Sequence, residues 1–134
     1  MSFGLTANLL RFWKKAGFTP TYLRQTANDL TGEHTIIMLK NLVRHNTSTC
    51  DLAAFWTDFR RRLLNLLGYQ LRSLCPKLAL SLLHNKSTKL PTTVLSSDHL
   101  SVHITPYDIS RLELYSNNMA DYHLVTDLLP PLAR

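Results

Sequence analysis

Residues 6–18 read TANLLRFWKKAGF, and this stretch has the features of a short helix that ends at a glycine. Thr6 can cap the first turn through its hydroxyl oxygen, and Gly17 suits the left-handed conformation that commonly follows a helix. Apolar side chains recur between them at helical spacing, which predicts the buried stripe of the helix. This stripe consists of Leu9, Phe12, Trp13 and Ala16. Another face carries what we call the polar strip, formed by Asn8, Arg11 and Lys15.

Two strands are predicted after this helix. The first runs from Phe18 to Arg24, and Pro20 predicts an edge position or an irregular start because proline donates no ladder hydrogen bond. The second runs from His34 to Leu42. Its segment 35–39 is apolar at both alternating sets of positions, which predicts burial on both faces and an interior place in a sheet. Because two strands cannot provide such burial, we expect a larger sheet around them.

Helices are favoured further along the chain. A wide apolar stripe at helical period predicts a long amphipathic helix from a cap near Asp51 to about Ser73. A second short helix is predicted from Lys77 to His84, and the polar residues that follow, as far as residue 105, predict a loop.

Another helix start is predicted at residues 105–108, which read Thr-Pro-Tyr-Asp. They combine a hydroxyl cap, a proline in the first turn and an acid near the positive end of the helix. The pattern predicts that this helix runs or kinks toward Leu129 and that Pro130 and Pro131 end it. Residues 132–134 contain no stop signal, so we expect a natural sequence that continues beyond them.

The composition is that of a globular chain. The 134 residues are 45% hydrophobic and 18% charged, which argues against a disordered protein. The apolar stretches are shorter than the roughly 20 residues of a membrane span, and residues 1–10 lack the features of a secretory signal. We therefore expect an intracellular protein with no membrane partner. Cys50 and Cys75 are far apart, which favours reduced thiols, and the glycines lack the spacing of a phosphate-binding loop.

The charge is divided unevenly along the chain. Residues 1–90 carry 13 Lys and Arg against 4 Asp and Glu, a net +9, whereas residues 91–134 carry 2 against 5, a net −3. A basic surface of this size attracts phosphate backbones, but it is also typical of a solvated face or of a contact with an acidic domain.

Consecutive arginines at positions 60–62 lie within the predicted long helix. They cannot share one helical face, since successive residues rotate by roughly 100°. Asp58 can pair with Arg61 or Arg62. The residues themselves therefore favour a partly paired, solvated face over phosphate binding.

The histidines give weak signals of chemistry. His99 and His103 have the spacing of a helical zinc pair, but the surrounding sequence is typical of a loop, so no metal site is predicted. Glu33 and His34 form a candidate proton-transfer pair, although structural hydrogen bonding is the favoured interpretation. His123 follows Tyr122 without a visible nucleophile nearby, which favours a structural histidine.

The unit at residues 8–18 resembles the last helix and strand of GNAT acetyltransferases, in which an aromatic pair and a few polar residues precede Gly-Phe. Its continuation at residues 20–34, PTYLRQTANDLTGEH, is similar to the eukaryotic RNA cytidine acetyltransferases, a nucleolar family of GNAT enzymes. Residues 55–62, 107–116 and 118–124 resemble the tail of that family, which is described there as a possible tRNA-binding domain.

The resemblance implies an α+β fold with three parts. Residues 1–42 are the carboxyl half of a GNAT domain, a helix and two strands, residues 43–50 are a linker, and residues 51–134 open a mainly helical tail. It also implies a larger parent protein whose upstream part holds the acetyl-CoA pyrophosphate loop and an ATP-binding module.

The reaction implied by the resemblance is ATP-dependent transfer of an acetyl group from acetyl-CoA to the exocyclic amine of cytidine in 18S rRNA and tRNA, as a step of ribosome biogenesis. The implied partners are RNA (pre-rRNA and tRNA), the remaining domains of the parent enzyme, and adaptor proteins. The implied location is the nucleolus within the nucleus.

Site residues also follow from the resemblance. Lys15 matches a position, usually arginine, that contacts acetyl-CoA, and with Arg11 and Asn8 it forms the predicted cofactor-binding set, although lysine lacks the planar fork of arginine. Trp13 stands where many GNAT enzymes carry a tyrosine general acid, and an indole cannot do that work, so no catalytic residue is predicted here. The tail resemblance makes the following residues predicted RNA contacts: Arg60, Arg61, Arg62, Arg72 and Lys77.

Two other functions stay open at this point. One is a non-catalytic RNA-binding or assembly module, and the other is a GNAT enzyme that acts on protein lysines, which the tail resemblance disfavours. Because the glycines of this chain form no pyrophosphate loop, the chain alone is predicted to be inactive.

Overall fold

The computed structural model describes residues 1–42, 51–84 and 104–133. The chain divides into two compact units, Met1–Lys89 and Leu90–Arg134. The first unit combines a small sheet with helices and the second is helical, so the predicted α+β class is confirmed. Within the described ranges, no helix has the length and apolar character needed to cross a bilayer.

An antiparallel sheet of three strands lies in the first unit, formed by β1 (Ser2–Gly4), β2 (Thr19–Ala27) and β3 (His34–Leu39) in the order β1-β3-β2. The interior place predicted for β3 is confirmed. Pro20 lies in the edge strand β2, where the register with β3 shifts between Pro20 and Tyr22, as predicted. Strand β1 was not predicted, because three residues give no alternation to detect.

Strand β3 buries one face only. Ile36 and Met38 are fully buried, whereas Ile37 and Leu39 are exposed. The prediction that both faces are buried is wrong for the described part of the chain, because the elements described there cover one face of the strand.

Helix α1 (Ala7–Lys15) has the predicted ends. The hydroxyl of Thr6 accepts a hydrogen bond from the Leu9 backbone N–H at 3.3 Å. Gly17 follows the helix with φ +84°, a conformation that costs glycine little and other residues more.

The predicted buried stripe of α1 is wrong for Leu9 and Phe12. Leu10 is the fully buried side chain of the helix, at 1% exposure, whereas Leu9 is 42% exposed and Phe12 is 61% exposed. Trp13 is half-buried, with its ring 6.3 Å from that of Phe3. The helix is thus rotated about its axis so that the side with Leu10 and Trp13 faces the core.

Two helices complete the described part of the first unit. Helix α2 (Leu52–Leu67) is capped by Asp51, whose carboxylate accepts from the N–H groups of Ala53 and Ala54 at 3.0 and 3.1 Å. It ends before Gly68, earlier than predicted, and α3 (Pro76–Leu83) begins after a run of turns, with proline in its first turn.

One apolar core joins these helices to the sheet. Helix α2 packs on β2, and the buried members come from the strands, the helices and the segments between them. They are Leu5, Leu10, Leu23, Ile36, Met38, Trp56, Phe59, Leu63, Leu66, Leu71 and Leu82.

The second unit contains α4 (Pro106–Ser116), a 3₁₀ turn (Tyr122–Leu124) and α5 (Leu129–Leu132). The predicted helix start is confirmed, and it forms a capping box. The Thr105 hydroxyl accepts a hydrogen bond from the Asp108 backbone N–H, and the Asp108 carboxylate accepts one from the Thr105 backbone N–H. Pro130 and Pro131 lie inside α5, so the prediction that they end a helix is wrong, since proline fits the first turn, where no N–H partner is needed.

Candidate functional site

The polar strip of α1 is open to solvent. The side chains of Asn8, Arg11 and Lys15 are all exposed, as their helical spacing predicted. Among the described residues, no hydrogen bond or ion pair engages any of the three side chains. These side chains therefore remain available to a ligand.

A further cation, Lys40, lies at the carboxyl end of α1. Lys40, just after β3, donates from Nζ to the backbone carbonyl of Ala16 at 2.8 Å and lies 5.8 Å from the centroid of the Phe18 ring. A cation at this end of a helix satisfies carbonyl groups that have no partner within the helix. The ammonium group of Lys40 therefore stabilises the end of the helix, whereas that of Lys15 makes no such contact.

Trp13 has a packing role. Its ring lies 5.1 Å from the rings of Phe12 and Phe18, in edge-on arrangements. Such geometry matches the preferred contacts of aromatic pairs. The indole therefore packs α1 against the sheet through its contacts with Phe3 and Phe18.

Lys14 is a residue that the sequence analysis missed. Its Nζ donates to the backbone carbonyls of Ser81 and His84, at the carboxyl end of α3. Burial lowers the pKa of Lys14 to about 8. Helix α3 carries no basic residue in its own last turn, but α2 and α4 carry none either, so the sequence did not single out this contact.

The three consecutive arginines of α2 are half-buried, so a fully solvated face is not what they form. Arg61 pairs with Asp58 at 3.0 Å, the pairing expected from their spacing. Arg62 borders a small gap between α2 and β2 together with Tyr22 and Phe59. Its aliphatic stem covers the edge of the core, and its Nε is buried there.

The other predicted RNA contacts are exposed. Arg72 lies in the turns after α2, and Lys77 lies in the first turn of α3. The structure thus distributes the five cations over two helices and the turn between them.

A buried ion network in the second unit was also missed. Arg111 contacts Asp127 at 2.7 and 3.1 Å, the Leu124 carbonyl at 2.6 Å, and Asp108. Asp108 and Asp127 are 0% and 1% exposed. Their hydrogen bonds and negative charges outweigh burial and raise the pKa of Arg111, although desolvation is the largest single influence and acts in the opposite direction. The network fixes α4 onto the segment that follows it.

This network removes Arg111 from the surface of the described part of the second unit. Within residues 104–133, Arg111 is the one Lys or Arg, and it is buried, whereas Glu113 and Asp121 are exposed. The described part of this unit therefore offers no exposed lysine or arginine to a phosphate.

Two of the remaining histidine candidates, His34 and His123, lie within the described residues. His34 shares a hydrogen bond of 2.9 Å between Nδ1 and the Arg24 carbonyl, which fits the structural interpretation. The ring of His123 lies 3.9 Å from that of Tyr122. His99 and His103 lie outside the described residues, and among the described residues no group of three potential metal ligands comes together.

Comparison with protein families gives two matches along the chain. Residues 1–43 match the family described as GNAT acetyltransferase 2, and residues 52–134 match the family described as "Possible tRNA binding domain". The chain therefore belongs to the possible tRNA binding domain family over most of its length. Its first 43 residues are similar to GNAT acetyltransferase 2.

Individual relatives are more specific. The chain is 52% identical over 137 residues to the RNA cytidine acetyltransferase of Mus musculus, 49% over 138 residues to that of Schizosaccharomyces pombe and 42% over 141 residues to that of Saccharomyces cerevisiae. These matches cover 99–100% of the chain but 13% of each relative. The resemblance predicted from the sequence is therefore confirmed.

Proposed function

We propose that this chain is the junction between the acetyltransferase domain and the RNA-docking tail of an RNA cytidine acetyltransferase. The proposal rests on the match of 99–100% of this chain to a segment of enzymes of that name. The shared core supports it, because α2 of the tail segment packs on β2 of the GNAT segment.

The proposed parent enzyme moves an acetyl group from acetyl-CoA to the exocyclic amine of cytidine in 18S rRNA and tRNA. That amine is a poor nucleophile because its lone pair is delocalised into the ring, so orientation and proton removal limit the reaction. ATP dependence, a nucleolar location, a role in ribosome biogenesis and adaptor proteins belong to the same proposal.

The polar strip fits the phosphate groups of acetyl-CoA. Lys15 and Arg11 are exposed cations on one helix, and Asn8 adds an amide donor beside them. When bound, acetyl-CoA supplies the activated acetyl group. Lys15 and Arg11 would hold its phosphates, while Trp13 keeps the helix seated on the sheet.

A chimaeric enzyme tests the proposal. This chain replaces the matching segment of the S. cerevisiae enzyme, which is then incubated with acetyl-CoA, ATP and cytidine-containing RNA. We expect acetylated cytidine by mass spectrometry, less of it without ATP, and none above background from the chain alone.

A chimaera that folds and binds RNA but yields no acetylated cytidine would contradict the proposal. That outcome supports the alternative, a non-catalytic RNA-binding or assembly module. The unmodified S. cerevisiae enzyme, prepared in parallel, shows that the assay itself detects the product.

Replacing Lys15 by alanine in the parent enzyme tests the cofactor assignment. We expect the KM for acetyl-CoA to rise about 10- to 150-fold, because a charge-assisted hydrogen bond contributes roughly 1.5–3 kcal/mol, and RNA affinity to stay constant. Arg24→Ala, at an exposed arginine of β2 that belongs to neither predicted binding set, is the control and leaves this KM unchanged. If Lys15→Ala weakens RNA binding instead, the polar strip faces RNA.

Replacing Arg61 and Arg62 by glutamine tests the RNA assignment. Each lost phosphate contact reduces the slope of log affinity against log salt concentration by about 0.7 to 0.9, so titrations at several salt concentrations give the number of contacts. Asp58→Asn releases Arg61 from its ion pair and is expected to strengthen RNA binding. Unchanged affinity and slope in the double variant would leave these arginines with a packing role only.

A further inference from the structure

Lys14 joins two helices that are distant in sequence. It belongs to α1, yet its ammonium group donates to the carbonyls of Ser81 and His84, 67 and 70 residues further along the chain. The contact therefore ties the helix that carries the polar strip to the end of α3.

The carboxyl end of α3 offers acceptors to such a group. The last carbonyls of a helix lack intrahelical partners and carry partial negative charge. Helix α3 has no basic residue in its last turn, so within the described residues Lys14 supplies the cation that the end of this helix lacks. A cation placed there satisfies two acceptors at once.

The contact also crosses the boundary between the two families. Lys14 lies in the segment matched by GNAT acetyltransferase 2, whereas Ser81 and His84 lie in the segment matched by the possible tRNA binding domain. Helices α1 and α3 touch each other within the first compact unit.

Holding Lys14 at this place has an electrostatic cost. The side chain is half-buried, and desolvation lowers its pKa to about 8, whereas its neighbour Lys15 remains exposed. A long lysine chain is free to reach solvent instead, so the two carbonyl acceptors are what keep the ammonium at the end of α3.

We propose that Lys14 is a positioning residue for cofactor binding, which acts by fixing α1 on α3 so that the polar strip keeps its orientation. Lys15 is the next residue on the same helix, so a rotation or shift of α1 moves its ammonium directly. The inference rests on the proposed function, since it assigns the polar strip to acetyl-CoA.

The test compares steady-state constants of the parent enzyme and its variants. Lys14→Met is expected to raise the KM for acetyl-CoA about five- to tenfold, the effect of losing roughly 1 to 1.4 kcal/mol of hydrogen bonding, with kcat and RNA affinity little changed. Lys14→Arg, which keeps a cation with several donors, is expected to restore most of the KM. Lys14→Gln, a milder change, replaces Lys14→Met if that variant does not fold.

A double variant separates positioning from general stability. In a Lys15→Ala background, Lys14→Met is expected to raise the KM by a smaller factor than in the parent enzyme, because one cation of the polar strip that Lys14 positions is gone. Additive effects, or an unchanged KM in Lys14→Met while Lys15→Ala raises it, would overturn the inference. If Lys15→Ala has no effect either, the cofactor assignment itself fails.

Discussion

Arg111→Met is expected to destabilise the second compact unit by about 3–5 kcal/mol, because it leaves the buried carboxylates of Asp108 and Asp127 without their cation. Typical domains are stable by only about 5–15 kcal/mol, so a large part of the unit's stability is lost. Methionine approximates the length of the arginine stem, so the loss reflects charge and hydrogen bonding more than volume.

Hydrogen exchange of the 134-residue chain measures this effect by region. Amides of α4 and of the segment around Leu124 are expected to lose protection, while those of α2 keep theirs. Glu113→Gln, at an exposed residue of α4, is the control and is expected to leave exchange unchanged. A second change, Asp127→Asn, added to Arg111→Met removes one uncompensated charge and should recover part of the loss. Unaltered exchange in Arg111→Met would show that the network contributes nothing to stability.

Trp56→Ala is expected to cost the first unit about 3–5 kcal/mol, the usual range for removing a large buried aromatic side chain. Trp56 is 2% exposed, and its ring lies 5.7 Å from that of Phe59 in the core shared with the strands. The substitution would leave a cavity between the segments matched by the two families, so the stability of both segments is expected to fall.

Urea unfolding and hydrogen exchange of the same chain check this expectation. Protection is expected to fall in α2 and in β2 and β3 together, because one core stabilises all three. Leu64→Ala is the control, since Leu64 is an exposed residue of the same helix. Loss of protection in α2 alone would mean that the helix and the sheet are stabilised separately.

Local signals predicted the elements of this fold well. The Thr6 cap, the Gly17 stop and the capping box at Thr105 depend on a few neighbouring residues, and all three are found. The central place of β3 was predicted too, although the burial of both faces from which it was inferred is not found among the described residues.

Which face of an element is buried was harder to predict. Helix α1 has apolar side chains on more than one side, and its tertiary packing buries Leu10 and leaves Leu9 and Phe12 exposed. The periodicity of the sequence carries no information about that packing. The same limit applies to β3, whose two apolar faces look alike in sequence although the described elements bury only Ile36 and Met38.

The candidate site shows the same division. Exposure of the polar strip followed from spacing within one helix, whereas the contacts of Lys14 and of Arg111 join residues 67 and 16 positions apart. Long-range contacts of this kind depend on the packed arrangement. Two sequence signals were compatible with the Arg111 network, the excess of acidic residues around it and the i, i+3 spacing of Asp108 and Arg111.

The core shared by α2 and the sheet bears on how such enzymes are dissected into pieces. The family boundary falls between residues 43 and 52, but the first compact unit continues to Lys89. A cut at the family boundary would leave Trp56 and Phe59 on one fragment and Leu23 and Ile36 on the other, each with an uncovered apolar face. The two fragments would then be prone to aggregate, whereas a cut near residue 89 leaves the shared core intact.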